Sequence, residues 1–282
     1  MNVRMDDLKQ WIGRSETRQD SASAVSMGAM TATLDREGLD FADGSLVPPL
    51  WHWTCFLPQA LQSQLGADGH PLKGGFLPPI PLPRRMWAGS QIDFVQPLRV
   101  GEVLTRKSTL TDITHKEGRT GPLVFVKVFH EVSNAQGLAI VEQQDIVYRT
   151  PPLPGDAPKP TPASTNSRWS RVIRPSPTLL FRYSALTFNS HRIHYDRPYA
   201  QDEEGYSGLV VHGPLIATLL LDLLQRELPA ARVVSFSFRA VRPLVDTAPF
   251  SVCAEPLADG SISLWAQDAE GWLATAATAR IA

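Results

Sequence analysis

A chain of 282 residues, 43% of them hydrophobic, can bury one large core or two of ordinary size. Its 27 basic and 28 acidic side chains leave a net charge of −1, and the basic ones are spread along the chain. That balance argues against nucleic acid or an anionic membrane as the main partner, while leaving local arginines free to hold the phosphates of a small ligand.

The two cysteines, Cys55 and Cys253, fit neither a CxxC pair nor a Cys/His zinc spacing, and read as buried reduced thiols. The opening MNVRMDDLKQWIGRS lacks the apolar stretch of a signal peptide, and no apolar run reaches membrane-spanning length. A cytoplasmic protein is expected.

In chain order, residues 5–15 predict a short amphipathic helix with Leu8, Trp11 and Ile12 on one face. Residues 21–38 predict a second helix, built from small and apolar residues. From Trp51 the run WHWTCFLPQALQSQLG can begin a third, but Pro and Gly then crowd the chain as far as Trp87. An irregular passage of that length is expected to cover a pocket. The runs SQIDFVQPLRVGE, VLTRKSTLTDITHKEG, PLVFVKVFHEVSNAQG and LAIVEQQDIVYR predict an antiparallel meander with a hairpin turn at 134–137. Residues 151–163 are proline-dense and read as a linker. Beyond them, 172–187 is strand-like, and a long helix opens at His212-Gly213-Pro214, where proline suits the first turn. Leu215, Ile216, Leu219, Leu220, Leu223 and Leu224 cover much of that helix, leaving Thr218, Asp222, Gln225 and Arg226 as a narrow polar stripe. So apolar a helix is expected to lie buried, with a sheet wrapped around it. Four strands follow to the end.

The halves repeat one another weakly. SQIDFVQPLRVGE matches SFSFRAVRPLVDTAPF, setting Pro97-Leu98 against Pro243-Leu244, and Gly137 falls against Gly271. Two copies of one α+β unit are therefore expected, 1–150 and 164–282.

The chemistry concentrates between residues 189 and 213. Asn189, His191 and His194 lie in a polar loop ahead of a helix start whose free N–H groups and positive dipole end suit developing negative charge. Asp196 reads as the N-cap of a short helix near Arg197-Pro198. His191-x-x-His194 lacks the glutamate and spacing of a metalloprotease helix, and no metal is expected. There is no GxSxG elbow, thiol–histidine signature, GxGxxG or P-loop, which disfavours nucleophilic hydrolysis and nucleotide cofactors.

The run Asn189-Ser190-His191-Arg192-Ile193-His194-Tyr195-Asp196, followed by Val211-His212-Gly213, resembles the hydratase-2 motif of MaoC-like, R-specific enoyl-CoA hydratases. That motif reads Asp-x-Asn-Pro-Ile-His-x-Asp, then His-Gly at the central helix. Here Asn189 replaces the family's catalytic aspartate, and His191-Arg192 replaces its Asn-Pro. The variant FNSHRIHYD, with WHWTCFLP and the proline-rich loop, is similar to a subgroup holding type 2 hydroxyacyl-thioester dehydratases and bacterial mesaconyl-C4-CoA and itaconyl-CoA hydratases. The resemblance implies an α+β double hot dog, two antiparallel sheets each wrapped around a central helix. It implies a hydro-lyase with one active site: His194 as acid–base, Asn189 holding the water, and free N–H groups near Gly213 stabilising an enolate. An amide such as Asn189 cannot be a general base, although it can accept a hydrogen bond from water. His191, Arg192, Val211, His212, Arg239, Arg242, Arg84 and Arg85 are the expected substrate contacts. Among them Arg192, Arg239 and Arg242, together with Arg197, are candidates for a second carboxylate, and Arg84-Arg85 for CoA phosphates. The expected substrate is a short, branched, dicarboxylic enoyl-CoA of the itaconyl or mesaconyl-C4 type, converted to citramalyl-CoA. The alternatives are dehydration of 3-hydroxyacyl thioesters in fatty-acid synthesis and non-catalytic acyl-CoA binding. No cofactor is expected beyond the thioester substrate itself; a homo-oligomer, dimer or higher, is.

Overall fold

Ten antiparallel strands form one continuous sheet in the computed structural model, which describes residues 5–118, 121–151 and 159–282. The N-terminal half contributes β1 (Ser15–Ser21), β2 (Arg84–Phe94), β3 (Val103–Gly118), β4 (Gly121–Asn134) and β5 (Gly137–Arg149). The C-terminal half contributes β6 (Trp169–Ile173), β7 (Val233–Ala240), β8 (Phe250–Pro256), β9 (Ser261–Asp268) and β10 (Leu273–Ile281). The spatial order is β1-β3-β4-β5-β2-β7-β10-β9-β8-β6. Read inward from each edge, both halves follow one rule: first strand, third, fourth, fifth, second. The weak repeat in the sequence is therefore a repeat of topology. The expected linker at 151–163 lies mostly outside the described residues.

The halves meet where β2 pairs with β7, from Gly89 opposite Arg239 to Asp93 opposite Ser235. Gly89 is needed there, because a Cβ on it would sit 2.3 Å from the Phe238 carbonyl oxygen. The predicted meander holds for β3, β4 and β5, but β2 lies beyond β5 rather than beside β3. β1 carries no apolar alternation to betray it. Its sequence SETRQDS is mostly exposed, and it pairs only with β3 at the sheet edge.

Among the described residues four α-helices accompany the sheet: α1 (Met5–Lys9), α2 (Ala24–Thr33), α3 (Pro177–Thr187) and α4 (Gly213–Glu227). Much of the stretch expected to be strand-like at 172–187 is α3. Its Phe, Tyr and Thr content suggests a strand, but Ser176 caps it by accepting from Leu179 N at 3.2 Å, and Pro177 fits the first turn. Leu180, Tyr183 and Ser184 then share the buried face at helical spacing.

The apolar helix α4 is enclosed as expected, with every residue from Leu215 to Leu224 buried. Thr218 and Asp222 of its polar stripe are buried too, and Gln225 and Arg226 are partly so. Asp222 lies 3.4 Å from Arg36, 2.7 Å from Arg171 and 2.8 Å from Arg226, a knot that ties α4 to both halves.

Among the described residues the N-terminal half has no matching helix. Val47 N donates to Leu98 O at 2.9 Å, just as Val211 N donates to Leu244 O at 2.8 Å, so the chain after Val47 stands where α4 begins in the other half. There Pro48 and Pro49 lead into Leu50 at φ 71°, and only short 3-10 turns follow, Trp51–Thr54 and Gln62–Gln64. The expected helix from Trp51 goes no further among prolines and glycines. The double hot dog is thus wrapped around one long helix rather than two. The room a second would occupy is filled by the irregular segment up to Pro83 and by a cavity beneath it. Cys55 and Cys253 are free and buried, and no helix among the described residues is long and apolar enough to cross a membrane.

Candidate active site

A cavity of about 2810 Å³ runs between the two halves, lined by β2, β5, the proline-rich segment, and the loop between α3 and α4. Asn189, His191, His194, Val211 and Gly213 all line it, so the motif residues converge on one space.

His194 is buried at the end of a 3-10 turn, Arg192–His194. Its Nδ1 lies 2.7 Å from Val210 O. A carbonyl can only accept, so Nδ1 carries the proton and Nε2 keeps its lone pair. Burial lowers the affinity of the ring for a second proton, the Val210 hydrogen bond opposes that, and the value falls to about 4. His194 is therefore a neutral imidazole near pH 7, with its basic nitrogen free.

His212 stands behind it. The two rings stack at 3.6 Å between centroids and 19° between planes, and His212 Nε2 lies 2.8 Å from Ser184 Oγ on α3. His212 is absent from the cavity lining; instead of touching substrate, as expected, it fixes the plane of His194. Burial takes its pKa well below the ordinary value, with the neighbouring His194 and His191 adding to the effect.

Asn189 follows α3, where Phe188 turns left-handed at φ 49°. Its Oδ1 accepts from His191 N at 3.0 Å. One lone pair and the amide NH2 remain to hold a water. Gly213 opens α4, and the first N–H groups of a helix have no partner within it.

A second loop completes the wall. Arg192 N donates to Asp68 O at 2.9 Å, Ser190 Oγ to Gly69 O at 2.5 Å, and Arg192 Nη1 to Ala67 O at 2.9 Å. The N-terminal half thus delivers Asp68-Gly69-His70 onto the motif. Gly69 sits at φ +85°, and a Cβ on it would fall 1.9 Å from Ser190 O. His70 Nδ1 donates to Asp68 Oδ2 at 3.0 Å, and its ring lies 4.0 Å from that of His191. Burial opposes ionisation of Asp68, but the bonds from His70 outweigh it and hold the carboxyl below its usual range. Burial, with help from His70, His194 and Arg85, takes His191 down to about 2. Asp68, His70 and His191 offer ligand atoms within 4.8 Å of one another, a spacing that a metal ion can bridge. The positive charges of Arg85 and Lys73 bear on the same cluster and disfavour a cation there. Sequence reading missed Asp68 and His70; the proline-rich passage as a pocket cover was the available signal.

The expected arginines divide. Arg192 lies outside the cavity lining because it is tied to Asp196 at 2.7 Å and lies over the Tyr199 ring at 4.1 Å. Asp196 also accepts from Tyr199 N at 3.2 Å, the capping role expected of it. Arg239 is misplaced as a contact: alternation along β7 buries Phe236 and Phe238 and turns Arg239 outward. Arg197 is taken by Asp246 at 2.6 Å and also lies outside the lining. Arg242 and Arg84 do line the cavity, paired with Asp268 and Glu204, each at 2.9 Å. Arg85 lines it as well.

Comparisons with known proteins bear on the family and the fold. The family model described as hydroxyacyl-thioester dehydratase type 2 matches residues 50–246. Mesaconyl-C(4)-CoA hydratase of Chloroflexus aurantiacus is 51% identical over 277 residues, 98% of each chain. Among solved structures, HtdX of Mycobacterium tuberculosis superposes with a TM-score of 0.68 at 20% identity, covering 95% of this chain and 100% of that one. Another protein of that organism, described as a double hot dog, gives 0.58 at 14% identity over 96% of each. The chain thus belongs to the hydroxyacyl-thioester dehydratase type 2 family of MaoC-like hydratases and dehydratases, in the branch that includes mesaconyl-C4-CoA hydratase.

Proposed function

We propose that the protein adds water reversibly across the double bond of a branched, dicarboxylic enoyl-CoA of the mesaconyl-C4 type, giving citramalyl-CoA. The observation that carries this reading is a neutral His194 whose free Nε2 faces a cavity beside the open N-terminus of α4. Half identity to a mesaconyl-C(4)-CoA hydratase supports the acyl group.

In the forward direction a water held by Asn189 gives its proton to His194 Nε2, and its oxygen attacks Cβ. The π electrons move toward the thioester oxygen, where the Gly213 N–H and the positive end of the α4 dipole meet the developing charge. Pro214, next in line, has no N–H to give. The proton on Nε2 then passes to Cα, which restores the thioester and the neutral imidazole. Dehydration is the reverse, and no step calls for a cofactor. The C-terminal half carries this chemistry, and the N-terminal half shapes the acyl and CoA site and supplies Asp68-Gly69-His70. His191 stays neutral and serves as a polar contact.

A panel of enoyl thioesters, followed by loss of the conjugated thioester absorbance, tests the reading. Faster turnover of mesaconyl-C4-CoA than of crotonyl-CoA is expected. The opposite order would assign the protein to straight-chain 3-hydroxyacyl-thioester dehydration, which the description of the family model favours. Binding of CoA thioesters without turnover of any would leave an acyl-CoA-binding protein.

A further inference from the structure

Next to the histidines the cavity holds more positive charge than a plain enoyl chain would need. Arg85 lies on β2 opposite Tyr148 of β5 and lines the cavity. The Lys73 ammonium lies over the same Tyr148 ring, 5.7 Å from its centroid. The charge of Arg85 bears on His70, Lys73 and His191, so the guanidinium reaches the cluster that adjoins His194.

Beside the histidine cluster, Arg85 lacks a counter-ion. Arg84, Arg192, Arg197 and Arg242 each hold a carboxylate within 2.9 Å. Among the described residues no carboxylate comes within ion-pair distance of Arg85 or Lys73. Lys73 is bound by the carbonyl oxygens of Ile80 and Leu82, at 3.1 and 2.5 Å. The acid of the cluster, Asp68, is already engaged by His70. A half-buried guanidinium lined up on a cavity without an anion is a receptor for one, since its fork matches a carboxylate in two parallel hydrogen bonds.

We propose that Arg85, with Lys73 beside it, binds the free carboxylate of the substrate and so selects dicarboxylic over straight-chain enoyl thioesters. This rests on the hydratase reading above and names the residues that set its substrate class. Connectivity agrees with position. In a mesaconyl-C4 thioester the free carboxylate sits on the carbon that receives water, so its receptor must lie beside the base. His191, which feels Arg85, stands edge-on to His194 at 5.5 Å. The phosphates of CoA are the competing anions, and they lie a full pantetheine arm away from that carbon.

Calorimetric titration with two unreactive thioesters separates these sources. Succinyl-CoA carries its carboxylate on the same β carbon, and butyryl-CoA carries none. The wild-type protein is expected to bind succinyl-CoA at least about tenfold more tightly. Arg85→Gln is expected to erase that preference while changing butyryl-CoA affinity less than about threefold, and Arg85→Lys to restore part of it. Retained butyryl-CoA binding also reports an intact fold. Equal weakening of both ligands in Arg85→Gln would make Arg85 a CoA contact and overturn the proposal, as would a preference that survives the change. A wild-type protein that does not hydrate mesaconyl-C4-CoA would instead remove the reading on which the proposal stands.

Discussion

Val210 O accepts from one nitrogen of His194 at 2.7 Å, and that single contact decides which ring nitrogen keeps its lone pair. Stacking on His212, itself fastened to Ser184, keeps the plane of the ring from rotating. The tautomer is open to direct measurement: ¹⁵N NMR of the histidine side chains should find His194 protonated on Nδ1 and bare on Nε2 at pH 7. On acidification the second proton should arrive only toward about pH 4, because burial disfavours the charged ring. kcat/KM should accordingly stay level from pH 8 to 6 and fall only well below 6. A His194 signal titrating near 6.5, the ordinary histidine value, would show the ring to be solvated. Asn189, His194 and Gly213 could be picked out in the sequence because a short motif keeps them within 25 positions. Asp68 and His70 could not, since they arrive from more than a hundred residues away and only the fold brings the two loops together.

Two elements hold the site in shape, and each can be broken by one substitution. The first is the contact between the Asp68-Gly69-His70 loop and the Asn189–Arg192 loop. Gly69→Ala forces a Cβ into Ser190 O and places a side chain at φ +85°. It should lower kcat/KM at least about tenfold by displacing His70 and Ser190, with the sheet retained by circular dichroism. Unchanged kinetics would show that the loops are not in contact. The second is Asp222 on α4, buried among Arg36, Arg171 and Arg226. Asp222→Ala leaves three guanidinium groups facing one another without their anion, and should destabilise the protein by about 3–5 kcal/mol in urea unfolding. A loss below about 1 kcal/mol would mean that water already neutralises the knot. Periodicity identifies α4 and makes Asp222 part of a narrow polar stripe, without naming its partners. That stripe faces arginines from distant segments, a fact no local pattern contains.

At the scale of the whole molecule, the sheet duplicates one topology while the helix is kept in one half only. The repeat could be read from the order of elements and from Leu98 and Leu244, buried alike. The missing helix was harder to foresee, because WHWTCFLPQALQSQLG has helix-forming residues but is flanked and split by Pro48, Pro49 and Pro58, which leave only two short 3-10 turns. Its absence is what gives the cavity the size to take an acyl-CoA, with the N-terminal loop closing over the C-terminal motif. The central claim is that this cavity hydrates an enoyl thioester through the free nitrogen of His194. The most direct measurement compares initial rates of mesaconyl-C4-CoA hydration by the wild-type protein and by His194→Ala, with circular dichroism and succinyl-CoA binding as controls on the variant. The account predicts measurable turnover by the wild type and a loss of about 10²–10⁴-fold in kcat in a folded, ligand-competent variant. A His194→Ala protein that hydrates within about threefold of the wild-type rate would contradict it.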